Sequence, residues 1–109
     1  MSHSATGWVK LAKNSNTKFV ACFTLPETKH VVSFAGKLEQ PIETCECAQA
    51  TLTYGDPKDL EGIHEVDHAD FGSYLSFALD NSVRINGQLD NRVTSVHTRA
   101  KGSWIANDA

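Results

Sequence analysis

His64-Glu65-Val66-Asp67-His68 formally matches H-E-x-x-H, a spacing that can do hydrolytic chemistry. On a helix, residues four apart share a face, so both imidazoles could hold one zinc ion while the glutamate serves as general base toward the metal-bound water. That chemistry requires helical geometry. The segment between Gly62 and Gly72 instead carries β-branched Ile63 and Val66 and two further aspartates, all middling or poor helix formers.

The run resembles the zinc metallopeptidase motif over these five residues. It departs from it in two respects: Asp67 places a charge where those helices usually carry an uncharged residue, and Gly72 lies one position too late for the metzincin continuation. A third ligand would have to come from Asp70, His97 or a cysteine. A second metal reading joins Cys45-x-Cys47 to His64 and His68 as a structural zinc site, although one residue between the cysteines is shorter than zinc fingers use. Zinc is thus the one cofactor the residues suggest. The residues favour incidental histidines over either site, and a non-enzymatic protein is the expectation.

Acidic side chains make the stronger pattern. Asp56, Asp59, Glu61, Glu65, Asp67 and Asp70 crowd one stretch in which Lys58 is the sole base. By thirds, residues 1–38, 39–70 and 71–109 carry net charges of +4, −8 and +1 within a total of −3. Such a field can steer a basic protein surface and argues against a nucleic-acid footprint. The acids lack the ordered spacing of a calcium loop. The leading functional expectation is therefore a binding or inhibitor-type module that meets a basic protein partner through these six acids. Zinc-dependent hydrolysis through residues 64–68 is the first alternative. The second is a small-molecule-binding β-barrel, inside which several of the aromatic residues Trp8, Phe19, Phe23, Phe34, Tyr54, Phe71, Tyr74, Phe77 and Trp104 would converge.

The elements that must position these residues read mostly as strands. Phe19, Ala21, Phe23 and Leu25 alternate with polar or small residues, and Val32, Phe34 and Leu38 follow, with Gly36 suggesting a bulge or bend. Phe71 to Leu79, Val83 to Leu89 and residues 92–99 read as a C-terminal meander with turns at Asp80-Asn81 and Asp90-Asn91. Residues 41–50 are open to helix or strand, with a strand favoured from Ala48 and with Ala48, Ala50, Leu52 and Tyr54 inward. Residues 55–70 read as one long acidic loop. The expected fold is mainly β: a small antiparallel sandwich or open barrel of about seven strands, with room for one short helix between residues 41 and 70.

At 109 residues the chain has the usual size of one domain, 1–109. No apolar run nears the roughly 20 residues of a membrane span, and the first ten residues do not read as a signal peptide. Three cysteines, an odd number at spacings unlike a disulfide framework, point to a reducing, cytoplasmic setting.

Overall fold

The computed structural model describes residues 3–107. Its eight strands are β1 (His3–Leu11), β2 (Lys18–Thr24), β3 (Val31–Leu38), β4 (Glu46–Tyr54), β5 (Ile63–Phe71), β6 (Tyr74–Leu79), β7 (Arg84–Gln88) and β8 (Val96–Asn107). All pairings are antiparallel, and the strands close into a barrel in the order β1-β2-β3-β8-β5-β6-β7-β4. Closure leaves no strand edge to solvent, which a sandwich or open barrel would.

Strict alternation builds the wall. In β2, Phe19, Ala21 and Phe23 point inward and are buried, while Lys18, Val20, Cys22 and Thr24 point outward. In β3, Val32, Phe34 and Leu38 fill the same interior. Phe19 meets Phe77 edge-on with centroids 5.1 Å apart, Phe71 meets Phe77 at 5.7 Å, and Phe34 tilts against Trp104 at 4.8 Å. These aromatic contacts add to the area that the rings bury. An internal gap of about 10 Å³ beside Phe19, Phe71, Leu75 and Phe77 has room for roughly one water. The interior is a packed core, and a ligand of the size that a small-molecule-binding barrel would take does not fit in that gap.

Gly36 owes its place to a close approach rather than to a bulge. It lies in register with Gly102 of β8, and a Cβ there would sit 2.2 Å from the Lys101 carbonyl oxygen. Two real bulges lie elsewhere. Between Gly7 and Val9 of β1, the facing β4 advances from Ala50 to Cys47. Cys47 and Ala50 therefore both point inward, while Ala48 and Gln49 both face solvent, which corrects the inward placement of Ala48. The Asp90 carboxylate accepts the Ala48 N–H at 3.3 Å. In β5 the register shifts between Val66 and Ala69, so both turn inward and Asp67 and His68 are carried outward.

Three expectations need correction. The acidic loop ends at residue 62, because residues 63–71 form β5, the strand missing from the expected count. The only helical piece among the described residues is a 3₁₀ turn, Pro57–Asp59, and residues 41–45 form no helix. The meander holds for β6 and β7 alone: β7 takes β4 as its other neighbour, and β8 inserts between β3 and β5. The turn at Asp80-Asn81 is where the sequence puts it, with Ser82 as the left-handed residue at φ 70°.

Candidate binding surface

The histidine motif lies on β5, a strand, so its spacing does not produce the helical face that zinc hydrolysis uses. His64 pairs in register with buried Gly102 and turns toward the barrel end, whereas the bulge carries His68 to the exposed outer surface. The Nε2 of His64 lies 2.7 Å from the Glu61 carbonyl oxygen, which can only accept, and its Nδ1 lies 2.8 Å from Asp80 Oδ1. Both ring nitrogens are engaged, and a metal would have to displace one of these partners. Asp80 also accepts the Glu65 N–H at 3.1 Å. Partial burial pushes the Asp80 carboxyl up, but the Glu65 N–H and the His64 ring together outweigh it and hold the group below its ordinary range.

Cys45, just before β4, and Cys47, on β4, are buried, and β6 and β7 lie between β4 and β5 in the barrel. The fold therefore does not bring the two thiols and two imidazoles together, and the described residues contain no group of three or more His, Cys, Asp or Glu placed to hold a metal. Burial, helped by the charges of Cys47 and Glu43, pushes the Cys45 thiol up to about 11, and burial also raises Cys47. Both are inert packing residues at neutral pH.

The six acids separate into two groups. Asp56 and Asp59 build the 3₁₀ turn: the Asp56 carboxylate accepts the Lys58 N–H at 2.9 Å, and Asp59 accepts the Asp56 N–H at 3.1 Å. Asn81 donates to the Asp59 carbonyl at 3.0 Å, tying the loop to the β6–β7 turn. The Glu61 side chain is exposed beside them. Glu65, Asp67 and Asp70 instead run along β5 facing bases of β8: Glu65 is in register with Lys101, Asp67 lies 3.8 Å from Arg99, and Asp70 bonds His97 at 2.7 Å. Asp67, His68, Asp70, His97, Thr98 and Arg99 frame a shallow, open depression. Sequence order hides this pairing, since the bases come some thirty residues later. The field expected of residues 55–70 is partly neutralised in place.

A different surface emerges from the registers. The outward side chains of Trp8, Cys22, Ser33 and Ile105 form one row across β1, β2, β3 and β8. Val20, Ala35, Ser103 and Ile63 form the next across β2, β3, β8 and β5, with Lys10 at its β1 end. Ile63 and Ile105 are 69% and 52% exposed, two of the three large hydrophobic side chains most open to solvent among the described residues. Lys10 sits over the Trp8 ring at 4.7 Å. Below these rows Lys18, Lys37 and Lys101 stand directly opposite one another, with Glu65 at the β5 end. No motif in the sequence announces this surface. It takes five strands in register to assemble it.

These features define a closed, eight-stranded antiparallel barrel with a filled interior and a partly apolar outer wall. Its fold is similar to that of the virulence-associated protein VapB from the intracellular pathogen Rhodococcus equi: the TM-score is 0.57, over 100% of this chain and 98% of that one, at 18% identity. A likeness at that identity concerns the fold. No family model matches the chain, and no curated protein sequence matches it. Among the described residues no helix is long and apolar enough to cross a membrane.

Proposed function

We propose that this protein is a non-enzymatic binding module that engages a protein partner through the outer wall formed by β1, β2, β3, β8 and β5. The continuity of uncharged, outward side chains across those five strands carries the reading. With strands about 4.8 Å apart and same-face residues about 6.8 Å apart along each, the eight positions of the uncharged rows cover roughly 260 Å². That is just below the roughly 300–600 Å² of the largest apolar patches on typical monomers, which are often functional, and Ser33 and Ser103 interrupt it. A standard protein interface takes about 800 Å² from each partner, so these rows would form its apolar centre and the surrounding lysines its rim.

The packed interior and the engaged ring of His64 support a surface role over an enclosed site. The reading moves the contact from the acids of residues 55–70, three of which face bases of β8, to the opposite side of that charge ladder. Ile63→Ser and Ile105→Ser, made together, should leave the barrel folded and reduce partner binding at least tenfold. Binding that mapped by amide shift perturbation to Asp56, Asp59 and Glu61, with the wall silent, would instead restore the basic-partner reading.

A further inference from the structure

We infer that the partner carries carboxylates beside its apolar residues, and that Lys18, Lys37 and Lys101 are the side chains that receive them. This rests on the wall being the contact surface and names the chemistry it selects. The three lysines occupy directly opposed positions on β2, β3 and β8, where Cβ atoms lie about 5 Å apart, and all three are exposed. Like charges at such positions destabilise a sheet. Among the described residues none of the three makes an ion pair within 4 Å, and Glu65 is the one acid in register with the row, at its end.

The rest of the barrel surface shows that the fold can balance charge across strands. Asp67 with Arg99 and Asp70 with His97 do so two to five residues further along the same β5–β8 pair. The lysine row is the exception, and it borders the uncharged rows that end in Ile63 and Ile105. An anion placed against three ammonium groups gains from all of them at once, while its neighbouring apolar side chains cover the isoleucines. Carboxylates recurring every 5–6 Å, as at positions three and four apart along an amphipathic helix, match the spacing of the row. A nucleic acid would gain the charge contacts but would find only Trp8 for base stacking.

The test uses the full chain, immobilised, against a random-peptide display library. Selected peptides are measured against the wild type, against Lys18→Gln/Lys37→Gln/Lys101→Gln, and against Ile63→Ser/Ile105→Ser. Vesicles of phosphatidylcholine with and without phosphatidylserine, and a single-stranded oligonucleotide, are run in parallel. The expected result is enrichment of Asp and Glu next to apolar residues, binding weakened tenfold or more by the triple lysine change, and the same direction of effect from raised salt. Peptides without acidic enrichment, or indifferent to the lysines yet lost with the isoleucines, would overturn the carboxylate inference and leave the wall reading standing. Indifference to both variants would overturn both. Lysine-dependent binding of the anionic vesicles or the oligonucleotide, with no peptide selected, would also overturn the inference. Thermal melts of each variant show that it is folded, and the glutamine variant should melt higher than wild type.

Discussion

Lys37→Glu should make this protein more stable, which is an unusual expectation for a surface substitution with no new packing. Lys37 stands between Lys18 and Lys101 in register, so the change turns two repulsive cross-strand pairs into two attractive ones. If the charged ends splay to about 8 Å, each pair is worth roughly 0.5 kcal/mol in water and about 0.2 after screening at physiological salt. Two pairs that each reverse sign therefore sum to about 0.8 kcal/mol, or about 0.4 per pair, within the range that exposed pairs deliver. For a domain of this size that is a rise in Tm of about 3–4 °C. Lys37→Gln removes the repulsion without adding attraction and should give about half. Differential scanning fluorimetry or calorimetry at low salt and at about 1 M salt, where the screening length falls to about 3 Å, separates the electrostatic contribution. A Tm that stayed level or fell at low salt, or a gain that survived high salt undiminished, would refute the argument that the row is a site of uncompensated charge.

Two further outcomes follow from the thiols and from the barrel end. Cys22 is partly exposed on the outer wall, whereas burial holds Cys45, near 11, and Cys47 in their neutral forms. In native protein at neutral pH a maleimide should label Cys22 alone, the other two reacting only on unfolding, and peptide mapping by mass spectrometry reads this directly. Asp80 is held below its ordinary value of 3.8, so it contributes stability that is fully present above that value and is lost as pH falls through its folded value. Asp80→Asn keeps an acceptor for the Glu65 N–H but removes the charge. Its urea midpoint should therefore lie below wild type at pH 6, and the gap should close as acid takes the pH down through the lowered folded value of Asp80; a gap unchanged by acid would remove the charge from the account.

The β class of the fold was readable because β2 and β3 alternate without interruption: Phe19, Ala21, Phe23, Val32 and Phe34 each point where period two sends them. The failures coincide with the bulges. In β5, Val66 and Ala69 are three residues apart yet both inward, so the segment shows no sustained period and reads as loop; in β4, Cys47 and Ala50 do the same. A bulge inserts one residue and reverses the phase of everything after it, which a window counting alternation records as noise. Gly36 was noticed for the right reason, a missing side chain, and misassigned because its crowding comes from Gly102 and Lys101, sixty-odd residues away in the chain. The candidate surface failed to show for the same cause. Lys18, Lys37 and Lys101 look like three unrelated charges until β8 is placed beside β3, and the sequence pattern gave β8 to the meander instead.

That placement of β8 sets the order in which the molecule can be made. Residues 96–107 are the piece that joins β3 to β5, so a chain emerging from the ribosome holds β1 to β7 with two unsatisfied strand edges until those residues have cleared the exit tunnel. For that interval the edge of β3, with Val31, Val32 and Phe34, offers a template for pairing with another nascent copy. Lys37 sits on that edge and Lys18 beside it on β2, and two positive charges there repel a second identical edge laid against the first. The charge row that weakens the finished sheet is, on the open barrel, a lysine-bearing edge of the kind that disfavours edge-to-edge pairing.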